Sequence, residues 1–109
     1  MIDVAALEDL TPGEPHLVQL GDTPVCLVVV DGTVRAVHDI CTHAFESLSA
    51  GWVEGDRIEC PRHGAQFCLT TGEALTPPAS RALPTYRVEV RDGRVLVDPA
   101  PSTQHPLIR

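Results

Sequence analysis

Two cysteine–histidine pairs carry the chemistry that is legible in this chain. Cys41 and His43 stand in "CTH"; after sixteen further residues, Cys60 and His63 stand in "CPRH". Each pair offers one thiolate and one imidazole. Each also lies in an expected loop after a strand, where backbone can wrap a metal centre. Four soft or borderline ligands in two matched pairs point to a metal site. A single zinc ion accepts two Cys and two His in a tetrahedron, but its usual loops pair Cys with Cys and His with His. A [2Fe–2S] centre explains the mixed pairs better: one iron takes both cysteines and the other both histidines, so each loop bridges the two irons.

The elements that must position these loops read as short antiparallel strands. "VVVDGTVRAV" (28–37) is a hairpin signal, with β-branched residues either side of Asp31-Gly32, a pair that favours the positive φ of a type I′ turn. "YRVEVRDGRVLVD" (86–98) repeats the logic around Asp92-Gly93, and its alternation of valines with charged residues predicts a half-buried pair. "WVEGDRIEC" (52–60) predicts a third hairpin turning near Gly55-Asp56. "HGAQFCLTTGEAL" (63–75) predicts a short strand running into a Thr71-Gly72 turn. "HLVQL" (16–20) and "PVCLVVV" (24–30) are apolar runs separated by "GDT". "LEDLTPGEP" (7–15) reads as a loop or a single helical turn, and no amphipathic helix is expected. Pro77-Pro78 stiffens an extended loop. After Asp98 the sequence "PAPSTQHPLIR" has three prolines and little to bury, so a flexible tail is expected over 99–109.

Composition bounds the rest. The 109 residues make one domain, and the 43% hydrophobic share is enough for a packed core. With aromatics at 4%, that core must be built from Val, Leu, Ile and Ala. Ten prolines and eight glycines favour an all-β class rich in turns. The net charge is −7 and every basic residue is arginine. Such acidity argues against nucleic acid, whose binders need a basic face. It suits a protein steered electrostatically to basic partners. Residues 1–59 hold 11 acids and two arginines, whereas residues 60–109 hold four acids and six arginines. No stretch approaches the roughly 20 apolar residues of a membrane span, and "MIDVAALEDL" is not expected to act as a signal peptide. A cytoplasmic location is therefore expected, where four cysteines suggest metal or redox chemistry before disulfides.

"CTHAFESLSAGWVEGDRIECPRHGAQF" resembles the Rieske proteins, whose motif is C-x-H followed by C-x-x-H. More narrowly, it is similar to the small Rieske ferredoxins of bacterial aromatic-ring-hydroxylating dioxygenase systems, over roughly residues 2–98. The resemblance implies an all-β Rieske [2Fe–2S] domain of antiparallel sheets over 1–98, with a cluster-binding subdomain made of two loops within about 39–80. It implies that Cys41 and Cys60 hold the buried iron and His43 and His63 the outer one. Rieske proteins of respiratory and photosynthetic complexes join the two ligand loops by a disulfide; here those positions are Glu46 and Arg62, which cannot form it. Where high-potential members place a serine and a tyrosine hydroxyl near the cluster, this chain has Ala65 and Phe67. Fewer donors to the sulfurs imply a potential at the low end of the Rieske range, roughly −150 mV.

The implied function is one-electron transfer from an NAD(P)H-dependent ferredoxin reductase to a terminal oxygenase. The protein is expected to be a monomer with transient protein partners, no nucleic acid, no membrane and no small-molecule substrate. It would perform no bond chemistry itself. Two other readings remain: the Rieske-type small subunit of a nitrite reductase, which keeps the fold, and a zinc-binding interaction module, which does not need iron. Phe45, Glu46, Arg62 and Pro78 are candidate docking residues around the cluster. The remaining notable side chains have plainer roles. Cys26 and Cys68 are expected to pack in strands, with a disulfide between them the less favoured alternative. Trp52 is expected to be a packing anchor, and His16, His38 and His105 to be surface or hydrogen-bonded residues.

Overall fold

The structure is a computed structural model describing every residue except His63, Pro78, Ser80 and Arg109. Ten strands run in chain order: β1 Ile2–Ala6, β2 His16–Leu20, β3 Thr23–Val30, β4 Thr33–His38, β5 Trp52–Glu54, β6 Arg57–Glu59, β7 Gln66–Cys68, β8 Thr85–Tyr86, β9 Val88–Arg91 and β10 Arg94–Val97. Single 3-10 turns occupy Leu7–Asp9 and Leu48–Ala50. The strands form three antiparallel sheets, ordered β1-β10-β9, β2-β3-β4-β8 and β5-β6-β7. The expected hairpins are present. Asp31 and Gly32 (φ 50° and 77°) turn β3 into β4, and Asp92 and Gly93 (φ 51° and 75°) turn β9 into β10. In each, both turn residues have the positive φ that a type I′ turn requires.

The four-stranded sheet lies between two cores, which explains why "PVCLVVV" is continuously apolar and does not alternate. From β3 and β4, Val25, Leu27, Val34 and Ala36 share one core with Val95 and Val97 of β10. Their neighbours Cys26, Val28 and Val37 point the other way. There they pack with Ile58, Phe67, Leu69 and Leu83 in a core that also contains Cys41 and Cys60. The three-stranded sheet β5-β6-β7 is thus a separate small platform, pinned to the base by shared burial.

Backbone contact is tightest at two glycines. A Cβ on Gly51 would lie 1.9 Å from the Glu59 carbonyl oxygen, and one on Gly72 (φ 79°) would lie 2.2 Å from that of Leu83. These close approaches fix where the platform's loops cross.

Cys26 and Cys68 lie in β3 and β7 as expected, Cys26 fully buried and Cys68 half-buried, and both are free thiols. Two expectations need correction. Trp52 is not a packing anchor: it is 60% exposed at the edge of the platform, because β5 has no neighbour on its outer side. The segment after Asp98 does find something to bury. Ser102 N–H donates to the Thr85 carbonyl at 2.9 Å, and His105 is only 5% exposed.

Candidate metal centre

The first ligand loop leaves β4 at His38 and is shaped by the buried side chain of Asp39. The Asp39 N–H reaches back to the Pro24 carbonyl (2.9 Å), and its own carbonyl receives the Leu48 N–H (2.7 Å). Its carboxylate accepts the Ser49 N–H at 2.8 Å and the Ser47 hydroxyl. One carboxylate therefore closes residues 39–49 into a compact loop, with Ile40 and Ser47 bridged across it. Inside the loop the Cys41 N–H donates to the Glu46 carbonyl (3.0 Å).

The peptide ahead of Cys41 is held from both sides by imidazoles. The Ile40 N–H donates to His38 Nδ1 at 3.1 Å, and the Ile40 carbonyl lies 2.8 Å from His105 Nε2. Since His105 Nδ1 accepts the Leu107 N–H (3.0 Å), the proton of a neutral His105 ring sits on Nε2 and is donated to Ile40. The two rings lie 4.6 Å apart, centroid to centroid. Burial, and then the neighbouring His105, push His38 down to about 4, with Asp39 acting the other way. His38 is thus neutral at pH 7. His16, also expected to be a surface or hydrogen-bonded residue, is half-buried at the start of the β2 edge.

The second loop follows β6. The Cys60 N–H donates to the Ala65 carbonyl (2.8 Å) and the Gly64 N–H to the Cys60 carbonyl (3.3 Å), which brings Gly64 and Ala65 back against Cys60. Two links tie the loops to their surroundings. Arg62 Nη1 and Glu46 Oε1 form an ion pair at 2.8 Å, so the two positions at which related proteins carry a disulfide are joined here by charge. The Thr42 hydroxyl donates to the Arg81 carbonyl at 2.7 Å, tying the first loop to a third.

Of the four expected ligands, the structure brings Cys41 and Cys60 together. Both are fully buried, and their side chains are close enough to interact. His43 is exposed. His63 lies outside the described residues, as does the candidate docking residue Pro78. Among the described residues no three or more His, Cys, Asp or Glu side chains converge as a metal site.

The donor set around the sulfurs fits an iron–sulfur cluster. Burial pushes the Cys41 thiol up, while the N–H groups of His43 and Ala44 aim at its sulfur and act the other way; the His43 N–H lies 3.4 Å from Sγ. Backbone donors directed at a sulfur suit a thiolate better than a thiol, and a thiolate in so dry a place needs a compensating metal charge. Phe45, 71% exposed, projects from the first loop. Ala65 and Phe67 are buried, as packing residues.

The fold and this paired-loop architecture define an iron–sulfur domain, and the sequence comparisons agree. Residues 1–87 match the family model described as the Rieske [2Fe-2S] domain, and the chain belongs to that family, which carries one Rieske [2Fe–2S] cluster. It is 35% identical over 96 residues to the ferredoxin component of the naphthalene 1,2-dioxygenase/salicylate 5-hydroxylase systems of Ralstonia sp., covering 88% of this chain and 92% of that one. It is 41% identical over 90 residues to the biphenyl 2,3-dioxygenase ferredoxin component of Rhodococcus jostii, covering 83% and 84%. Among solved structures, it matches a chain in the complex of reduced oxygenase and oxidized ferredoxin in carbazole 1,9a-dioxygenase. There the TM-score is 0.88 and the identity 36%, over 94% of this chain and 96% of that one. A putative nitrite reductase small subunit matches with TM-score 0.75 and 28% identity, over 88% and 95%.

Proposed function

We propose that this chain is the one-electron carrier of an aromatic-ring-hydroxylating dioxygenase system. It takes an electron from an NAD(P)H-dependent reductase and hands it to the terminal oxygenase. Cys41 and Cys60 would hold the cluster from the buried side and His43 and His63 from the outer side. The observation that carries this reading is the arrangement of the ligands: two adjoining sulfurs buried in the core, with His43 at the surface above them.

When bound, the cluster supplies a one-electron couple. The chain's own residues do the rest. Leu48, Phe67 and Leu83 keep water from the sulfurs, since they are buried in the same core. The backbone N–H groups of His43 and Ala44 direct positive dipoles at Cys41, which favours holding added negative charge there. The exposed imidazole of His43 lies where a partner's redox centre can approach. Phe45 gives the partner an apolar contact, and Glu46 and Arg62, ion-paired to one another at the rim, can exchange that pairing for partner charges. Such redox contacts are small, often under ~1,200 Å², so the net charge of −7 contributes mainly to steering.

The relatives are ferredoxin components of dioxygenase systems, which supports a carrier that makes no bonds itself. The likeness to the carbazole dioxygenase complex exceeds that to the nitrite reductase small subunit in both TM-score and identity, which favours the dioxygenase role. The reading is tested by mixing the dithionite-reduced protein anaerobically with an oxidised ring-hydroxylating oxygenase in a stopped-flow instrument. The expected result is rapid reoxidation of the carrier, slowing as ionic strength rises. No reoxidation with any such oxygenase, alongside reoxidation by a nitrite reductase catalytic subunit, would reverse the assignment.

A further inference from the structure

Arg35 and Arg87 differ from the arginines that have side-chain partners. Arg62, Arg91 and Arg94 are paired with carboxylates at 2.7–2.8 Å, and Arg57 donates to Gln66. Among the described residues neither Arg35 nor Arg87 has a carboxylate within ion-pair distance, although the chain has 15 acids to 8 arginines.

The register of β4 against β8, with Ala36 paired to Tyr86 and Val37 to Thr85, carries the neighbouring Arg35 and Arg87 to one wall. Ala36 and Tyr86 turn into the core, and alternation along β4 sends Arg35 to the other face. Both arginines line a cavity of about 590 Å³, a size typical of small-molecule sites, where their like charges repel one another.

The rest of the cavity supplies hydrogen-bonding groups. Thr33, Thr70 and Ser102 line it. Ser102 Oγ already accepts the Thr85 N–H at 2.9 Å, which leaves its own proton to donate. Among the described residues Asp98 is the one carboxylate of the wall, and its Oδ1 is engaged by the Ala100 N–H at 2.9 Å. The chain after β10 forms one side of the cleft through two backbone bonds, Asp98 N–H to Arg87 carbonyl and Ser102 N–H to Thr85 carbonyl, each 2.9 Å.

We propose that this cleft binds a small oxyanion carrying two negative charges, a phosphate ester or a short dicarboxylate, between Arg35 and Arg87. Two guanidiniums present forked donors that match either group, and the bound anion would remove the repulsion between them. This site is separate from the ligand loops and does not depend on the electron-carrier reading.

The test titrates the cluster-bound protein with inorganic phosphate and with malonate at ionic strength held constant by chloride, following the amide resonances of Thr33, Thr70 and Ser102. Saturable shifts are expected with at least one of the two. A response to phosphate alone assigns the phosphate ester, and to malonate alone the dicarboxylate. Arg87→Gln should weaken binding at least about tenfold, and Asp98→Asn should tighten it. Arg81→Gln, which removes a charge outside the cleft, should leave it unchanged. The proposal is overturned if neither anion gives a saturable shift. It is equally overturned if the double variant Arg35→Gln, Arg87→Gln responds as the parent does.

Discussion

Replacing Asp39 by Ala tests how the first ligand loop is held shut. The Asp39 carboxylate accepts the Ser49 N–H at 2.8 Å and the Ser47 hydroxyl, and the residue is almost fully buried. Hydrogen bonds to a charged group contribute about 1.5–3 kcal/mol each. Ser47 keeps a second contact, to Ser49 Oγ at 2.8 Å, so its loss is partly offset and the lower end of the range applies to both. The sum is about 3 kcal/mol. If the cluster is lost through opening of residues 39–49, the open population rises by roughly 100-fold, at 1.36 kcal/mol per factor of ten. The assay is bleaching of the visible absorbance by an iron chelator at fixed temperature, with chelator low enough that reclosing outpaces capture and opening is a pre-equilibrium. Asp39→Asn retains an acceptor for Ser49 and loses chiefly the charge, so it should bleach at an intermediate rate. An Asp39→Ala rate within about threefold of the parent, far below the factor from two charged hydrogen bonds, would refute this account of the loop.

Further outcomes are expected from other parts of the molecule. Gly51→Ala should prevent accumulation of folded, coloured protein, because its Cβ would sit 1.9 Å from a backbone oxygen; recovery of parent-like absorbance per mole would contradict the close approach. His38 is held neutral with its pKa lowered to about 4, against about 6.5 when unfolded. Between those values the unfolded chain binds more protons. Stability is therefore full above about pH 6.5 and falls as pH drops towards 4, by at most about 1.4 kcal/mol per pH unit. Urea midpoints across that window should fall less in His38→Asn than in the parent. Ala65→Ser should raise the reduction potential by about 40 mV, taking one new hydrogen bond as about 1 kcal/mol and 59 mV per factor of ten; voltammetry showing no rise would remove the donor argument.

Much of this was legible in the sequence because local rules and tertiary structure agree. Asp31-Gly32 and Asp92-Gly93 favour type I′ turns locally, and both pairs have positive φ. The cysteine–histidine motif stands out in the sequence because Cys41-His43 and Cys60-His63 are two matched pairs of soft or borderline ligands. What escaped depends on distant partners. Asp39 looks like an ordinary loop acid until Ser47 and Ser49 fold back on it; its position between buried Val37 and Cys41 was the available hint. His105 appears in a proline-rich tail, and its value comes from the Ile40 carbonyl 65 residues away. Trp52 departs from expectation because side-chain size says nothing about whether an edge strand will be covered.

The most direct measurement is nitrogen hyperfine spectroscopy of the reduced protein, combined with iron and acid-labile sulfide analysis of the parent and of His43→Cys and His63→Cys. The expected result is equal iron and sulfide, couplings from two imidazole nitrogens in the parent, and loss of one coupling in each variant. A colourless zinc-loaded protein, or a cluster whose nitrogen couplings survive both substitutions, would contradict the assignment of Cys41, His43, Cys60 and His63 as its ligands.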